Sequence, residues 1–315
     1  MKRLPRKREM EERKEERKGI SKGLAQALIV LQSVIYGFGD PISKIAFDVV
    51  PVYAMMTVRY SIAFAVCFLL FHKRIIKTVK TVPLKAWLIP GVCIGMNYLL
   101  NNVALSMTEA TSVAFLRSMS VIFTPALAFL MLGKKYRWQQ LLAQILVLPG
   151  VYLLCVKGGL SGFGAGEVIA LAAALLAATT LVLSGKYLEE EVDPISLTAL
   201  QGGCSAVLAF IGCVIFEGAR IDMSVADAKV WGIILYLAIT CTFLGYLMQN
   251  LALTGISERS VSLIQSLCPV MTAIFSLILL GERLSTAGII GAAIIILCSL
   301  SEAWNWKSSS NDQEE

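Results

Sequence analysis

Tyr98-Leu-Leu-Asn-Asn-Val-Ala-Leu-Ser106 returns 148 residues later as Tyr246-Leu-Met-Gln-Asn-Leu-Ala-Leu-Thr254. The same register carries Ser112-Val113 onto Ser260-Val261, Ser118 onto Ser266, Thr124 onto Thr272 and Leu132-Gly133 onto Leu280-Gly281, with no gap. Leu and Ala coincide cheaply between apolar segments. Tyr, Asn, Ser and Thr recurring in one unbroken register do not, so the chain reads as a duplication.

What is duplicated is a set of membrane spans. Of the 315 residues 57% are hydrophobic and only 16% charged, with a mean hydropathy of +0.71. Soluble domains carry about 25% charged residues, and a chain this apolar could not cover itself with polar groups in water. Crossing the hydrocarbon core takes roughly 20 apolar residues. Stretches of that length fall at 24–45, 52–72, 86–107, 111–132, 138–157, 166–186, 195–216, 230–254, 260–280 and 285–304. Short connections between them carry Pro51, Gly133, Gly158-Gly159, Asp193-Pro194 and Gly281. The expected fold is all-α: ten transmembrane helices as two five-helix repeats. Five is odd, so the second copy enters the membrane from the opposite side, as in many secondary transporters.

Charge sets the orientation. With the N-terminus inside, the inner loops and tails hold 21 Lys and Arg against five outside, and Arg59 and Arg117 lie within spans. Both termini are therefore expected to be cytoplasmic, in a multi-pass plasma-membrane protein. Residues 1–22 contain ten Lys/Arg and five Glu. Pairs such as Glu9–Arg13 fit a solvated helix, and beside a bilayer the tail reads as an anchor for anionic lipid heads, not as a nucleic-acid binder. The apolar segment after it has no clear cleavage site, so it is not a signal peptide. The eight cysteines, at 67, 93, 155, 204, 213, 241, 268 and 298, form no CxxC pair. They indicate small packed hydrophobes, with no disulfide framework, metal site or cofactor.

The stretch Ser266-Leu-Cys-Pro-Val-Met-Thr-Ala-Ile-Phe-Ser-Leu-Ile-Leu-Leu-Gly-Glu-Arg-Leu-Ser285, with Lys44, Pro51 and Arg59 in order around the first two spans, resembles the EamA-type group of the drug/metabolite transporter superfamily. The resemblance covers about residues 22–304. It departs where Leu132-Gly133 is followed by Lys134 instead of an acid, and where Pro125 and Pro269 occupy different registers, so it assigns Glu282 no symmetric role. It implies a central cavity surrounded by spans one to four and six to nine, with five and ten peripheral. It divides the chain into a basic cytoplasmic tail (1–22), two EamA-type repeats (23–158 and 159–304) and a C-terminal tail (305–315). Such proteins handle amino acids, other metabolites and drugs.

A charge inside a span costs a few kcal/mol or more unless paired or wet, so each one marks a candidate. Arg117 is the candidate for an anionic substrate group: its repeat partner is neutral Gln265 and no acid lies in its own helix. Asp40, Lys44 and Arg59 fit pairing, snorkelling or gating roles. Asn97, Asn101, Gln249 and Gln265 are candidates to line the cavity, with Tyr98 and Tyr246 stacking on a ligand or filling space. Asn102 and Asn250 match across the repeat and fit interhelical hydrogen bonding. Pro41, closing Gly37-Phe-Gly-Asp-Pro41, reads as a hinge that frees the Gly37 carbonyl, and Pro269 and Glu282 join the structural group.

These residues point to a secondary, alternating-access carrier that exports small metabolites such as amino acids, related compounds or drugs, and not to an enzyme. Its partners would be a small-molecule substrate, the bilayer, a coupling proton and, compatibly, a second copy of itself. The rival is an intramembrane aspartyl protease, since Gly37-Phe38-Gly39-Asp40 spells GxGD. That chemistry needs a second carboxylate sharing a proton, and Glu109 and Glu167 lie at span ends. Gly185-Lys186-Tyr187 lacks the other residues of a phosphate-binding loop, and no ring of like charges suggests a channel.

Overall fold

The computed structural model describes residues 19–108, 110–136, 138–155, 164–190, 192–218, 223, 226–280 and 285–311. Most of the basic tail, with Glu9–Arg13, lies outside them, as do Gly281 and Glu282. Among the described residues the secondary structure is helical throughout. In chain order it comprises α1 (Lys22–Phe47), α2 (Val52–Thr81), α3 (Leu84–Met107), α4 (Ala110–Arg117), α5 (Ser120–Leu132), α6 (Trp138–Cys155), α7 (Ala165–Glu190), α8 (Pro194–Glu217) and α9 (Ala228–Tyr236). A π-helical segment (Leu237–Leu244) joins α9 to α10 (Gly245–Ala252), followed by α11 (Glu258–Gln265), α12 (Cys268–Leu280) and α13 (Thr286–Asn311).

Seven helical stretches are long and apolar enough to cross a membrane: Val52–Thr81, Leu84–Met107, Val113–Leu132, Ala165–Glu190, Pro194–Glu217, Ala228–Ala252 and Glu258–Leu279. The remaining expected spans are also helical. Polar Gln32, Asp40 and Lys44 dilute the apolar character of α1, and α6 and α13 contain the shorter apolar stretches Leu141–Leu153 and Thr286–Ser301. Leu69, Leu130, Ile278 and Leu297 are between 65% and 76% exposed, a surface that lipid solvates and water does not. The protein is a multi-pass membrane protein.

Two helices outrun their expected ends. α2 continues to Thr81 across a kink at Phe71 (φ −130°, ψ 20°). Beyond the kink Ile75 and Thr78 are buried while Lys73, Arg74, Lys77 and Lys80 are exposed, so the extension is amphipathic and leaves the apolar pattern behind. α13 runs on to Asn311, past the expected boundary at 304.

Because lipid tails are as apolar as Leu, helices in a bilayer associate through close van der Waals contact at small residues. α1 lies against α12 at Gly37, where an added Cβ would collide with Met271 Cβ and the backbone beside it. α3 lies against α8 at Gly95, where it would meet Ser205 Cα at 3.1 Å. The main pairings are α2 with α8, α3 with α7 and α8, α1 with α12 and α10, α7 with α4 and α5, and α6 with α13.

Polar contacts show which termini share an end of the bundle. At the end opposite the start of α1, the Glu217 carboxylate at the close of α8 accepts from the Tyr53 and Ala54 N–H groups at 2.9 and 2.8 Å. It supplies α2 with the cap that Pro51 has no side chain to give. At the α1-start end, Gly133 adopts φ 66° and closes α5 with bonds from Gly133 N to Phe129 O and from Lys134 N to Ala128 O. The chain then turns so that Lys134 Nζ lies 3.1 Å from Glu258, whose carboxylate also accepts from Tyr136 Oη at 2.8 Å. Burial first, and the Glu258 carboxylate second, push the Tyr136 phenol above its ordinary value, which keeps it a donor.

Candidate substrate cavity

Two helix breaks place the polar residues. α4 ends at Arg117 and α5 starts at Ser120; α11 ends at Gln265 and α12 starts at Cys268, the 148-residue register again. Both breaks tighten into i→i−3 bonding: Ser118 N to Phe115 O (3.1 Å) and Met119 N to Leu116 O (3.0 Å), then Ser266 N to Leu263 O (3.1 Å) and Leu267 N to Ile264 O (3.0 Å). Pro269 accounts for the second, because it lacks an N–H for the Gln265 carbonyl and its ring crowds that oxygen. Val121 holds the equivalent position in the first. There the Ser118 hydroxyl donates to Ala114 O at 3.0 Å and competes with the regular ladder.

Between the breaks lies a cavity of about 720 Å³ of unfilled space, its open mouth included. It brings together Asn97, Tyr98 and Asn101 from α3, Arg117 from α4, Gln249 from α10, and Gln265 and Pro269 around the second break. Ser33 and Tyr36 of α1, Thr180 of α7, and Ser118, Ser120, Ser262 and Ser266 at or near the breaks add to its polar wall. Asn97 and Asn101 are 8% and 4% exposed, and the amide oxygen of each has no hydrogen-bond partner among the described residues. Leaving such an oxygen dry and unpaired costs about 1–3 kcal/mol. Both residues line the cavity, so the wall carries two acceptors that no described donor satisfies.

A second, smaller and tighter cavity, about 340 Å³ of unfilled space with its open mouth included, shares Tyr36, Tyr98, Asn101 and Arg117 with the first and adds Asp40, Ser43, Arg59 and Asn102. Arg117 stands between the two with its charge met: Nη2 lies 2.9 Å and Nη1 3.5 Å from the two Asp40 carboxylate oxygens, and Nη2 is 3.0 Å from Cys268 Sγ. Thr272 of α12 donates to the same carboxylate at 3.3 Å. The acid comes from α1, 77 residues upstream. Arg59, 6% exposed, donates through Nε to Thr242 Oγ1 at 2.9 Å, and its guanidinium carbon lies 5.4 Å from the Tyr60 ring centroid. Thr242 sits in the π-helical segment and donates to Leu237 O, five residues back, at 3.0 Å. Insertions of this kind in α-helices are frequent at functional sites.

A glutamine relay braces the wall. Gln265 Nε2 donates to Gln32 Oε1 (2.9 Å) and Gln249 Oε1 (3.0 Å), and Gln32 Nε2 donates to Gly245 O (2.7 Å). Tyr246 is packed, its ring stacked on Tyr98 at 5.4 Å between centroids, while Tyr36 meets Tyr98 edge-on at 6.2 Å. Asn250 joins α10 to α8 through Thr198 Oγ1 (3.0 Å) and Gln201 Oε1 (2.7 Å). Asn102 instead donates within its own helix, to Tyr98 O at 2.8 Å. Lys44 is exposed on the last turn of α1, away from both cavities, and α1 runs unbroken through the buried Pro41.

Ser33, Tyr36 and Thr180 were not expected in the wall, nor Gln32 behind it. Gln32 and Tyr36 carried a readable signal, an i, i+4 polar pair in an apolar helix like Asn97 and Asn101 on α3. Thr180, with Thr179 beside it and Ser184 four residues on, carried a weaker one, because its hydroxyl is small and donates back to Leu176 O on its own helix. Asp40, the acid of the protease-like tetrapeptide, faces a guanidinium and a hydroxyl instead of a second carboxyl group. Glu167, at the start of α7, is engaged with the Thr108 hydroxyl and the Gly164 N–H. Among the described residues there is no cluster of three or more His, Cys, Asp or Glu that could hold a metal, and Cys67, Cys93, Cys204, Cys213, Cys241, Cys268 and Cys298 are free thiols.

A multi-pass helical membrane protein with a polar cavity buried between its helices is the architecture of a solute transporter. Comparison with known proteins gives the family: residues 23–156 and 164–300 each match the model of the EamA-like transporter family, and the chain belongs to it. It is 26% identical over 277 residues to a protein of Archaeoglobus fulgidus named "Uncharacterized transporter", covering 85% of this chain and 82% of that one. It is also 26% identical over 200 residues to the Bacillus subtilis "Uncharacterized transporter YyaM", covering 62% of this chain and 65% of that one. A solved crystal structure superimposes with a TM-score of 0.73 at 15% identity, covering 87% of this chain and 94% of that chain, a likeness of fold.

Proposed function

We propose that the protein is a secondary, alternating-access carrier that exports small polar metabolites, amino acids and related compounds or drugs among them. In this reading ten spans form two inverted five-helix halves, and both termini face the cytoplasm of a plasma membrane. The observation that carries it is the larger cavity: residues of both halves converge there at two helix breaks 148 residues apart, and two buried amide oxygens await donors. The packing supports the inversion. Counting spans from the N-terminus, the second packs on the seventh and the fifth on the tenth, while third-on-sixth answers first-on-eighth. A five-span shift maps this pattern onto itself.

The site also supplies a coupling device. Protonating Asp40 would cancel the negative charge that holds Arg117, so a proton and a bound solute could compete for the same guanidinium. The test is a flux screen in inside-out vesicles, with and without a pH gradient, over amino acids, nucleosides and cationic drugs. A carrier gives saturable flux for at least one class; a reconstituted protein that moves none of them refutes the reading.

A further inference from the structure

The two membrane-embedded arginines are not equivalent. Arg117 has a carboxylate at 2.9 Å and a sulfur at 3.0 Å. Arg59 is more deeply buried, has no carboxylate within ion-pairing distance among the described residues, and commits only Nε, to Thr242. A buried guanidinium without a counter-charge is expensive, and in a membrane such groups mark ligand or ion paths. This one borders the smaller cavity, where two guanidiniums face one carboxylate and leave one positive charge over.

We propose that the smaller cavity is an oxyanion site in which Arg59 holds a carboxylate or phosphate group of the transported molecule. The inference rests on the carrier reading and adds a substrate class to it. Thr242 fixes one edge of the guanidinium plane through Nε. The terminal nitrogens, which have no protein partner among the described residues, form the fork that grips two oxygens of a planar or tetrahedral anion. Asn102 lies on the same wall and, beyond the N–H it gives Tyr98 O, has a second amide N–H to offer, whereas the Ser43 hydroxyl is committed to Gly39 O. Arg117, already satisfied by Asp40, divides this site from the larger cavity, whose lining residues Asn97 and Asn101 would meet the remainder of the molecule. The ligand so described carries an oxyanion at one end and N–H or O–H donors at the other.

The test uses the purified full-length protein in neutral detergent. Thermal unfolding is followed while sodium phosphate or sodium acetate is titrated at ionic strength held constant with sodium chloride. Wild type should show a saturable rise in Tm with one of the two probes, and which probe acts separates phosphate from carboxylate. Arg59→Gln should shift the half-saturating concentration at least about tenfold, the scale of losing charge-assisted hydrogen bonds. Lys44→Gln removes a positive charge from the same helix end as the site but outside the cavity, and should leave the titration unchanged. If Arg59→Gln fails to fold, Thr242→Val, which releases Nε, carries the test and should weaken binding severalfold. No saturable response in wild type, or equal titrations for Arg59→Gln and Lys44→Gln, overturns the site. Anion binding through Arg59 without any flux in vesicles would instead defeat the carrier reading alone. Unimpaired transport by Arg59→Gln would defeat the site alone.

Discussion

Asp40 and Arg117 hold each other at 2.9 Å across α1 and α4, each about a fifth exposed. Removing one partner of a buried pair costs about 3–5 kcal/mol because the other charge is stranded; partial exposure puts this pair at the low end. Asp40→Asn should therefore lower Tm and yield in detergent, and Asp40→Asn with Arg117→Gln should recover most of the loss. Additive losses in the double variant would show that the two residues act separately. The pair also marks where the sequence stops being readable at this scale. Helical periodicity reports neighbours on one helix, and by that measure Arg117 lacked an acid. Its acid is 77 residues away in sequence, and only packing of α1 beside α4 and α12 reveals it. The same packing leaves Arg59, which has a described hydrogen bond only to Thr242, with no carboxylate in ion-pairing distance among the described residues.

At the scale of the element, the polar stripe on α3 was legible because Asn97 and Asn101 are four residues apart in an apolar run, and one helix face carries both to the cavity. The helix breaks were half legible. Pro269 announces the break before it; the break at Ser118 has no proline in register and depends on hydroxyl bonding and tertiary packing. Gly37-Phe-Gly-Asp-Pro41 suggested a hinge, yet α1 passes through it unbroken and Gly37 serves as a point of close approach to α12. Gly37→Ala should consequently cost about 1–3 kcal/mol, the usual range for overpacking, with α1 pushed from Met271. Gly23→Ala in the same helix meets nothing within 4 Å and should be neutral or mildly stabilising. Equal Tm values for the two variants would contradict this packing. A complementary expectation concerns Pro269→Ala, which gives the Gln265 carbonyl a donor and favours a straighter helix. Tm should hold or rise while flux falls, because Gln265 leaves its bonds to Gln32 and Gln249. Flux equal to wild type would show that the break has no part in transport.

At the scale of the whole molecule, composition and the internal register were enough to read a helical membrane protein, and residues 23–156 and 164–300 match the family model in turn. The ends of the bundle were less readable, since the residues that tie the halves there are distant in sequence. Lys134 and Tyr136 of the first half converge on Glu258 of the second at one end. Glu217 of the second half caps α2 of the first at the other. A carrier needs such ties to be made and broken in turn as the central site faces one side and then the other. The claim that the molecule is a carrier is tested most directly by counterflow. Proteoliposomes are loaded with a high concentration of an unlabelled solute identified in the flux screen, diluted, and given a trace of the same solute labelled outside. The account predicts a transient overshoot of label inside the vesicles, saturable and absent from protein-free liposomes. Uptake that rises linearly without overshoot, or matches that of empty liposomes, would contradict it.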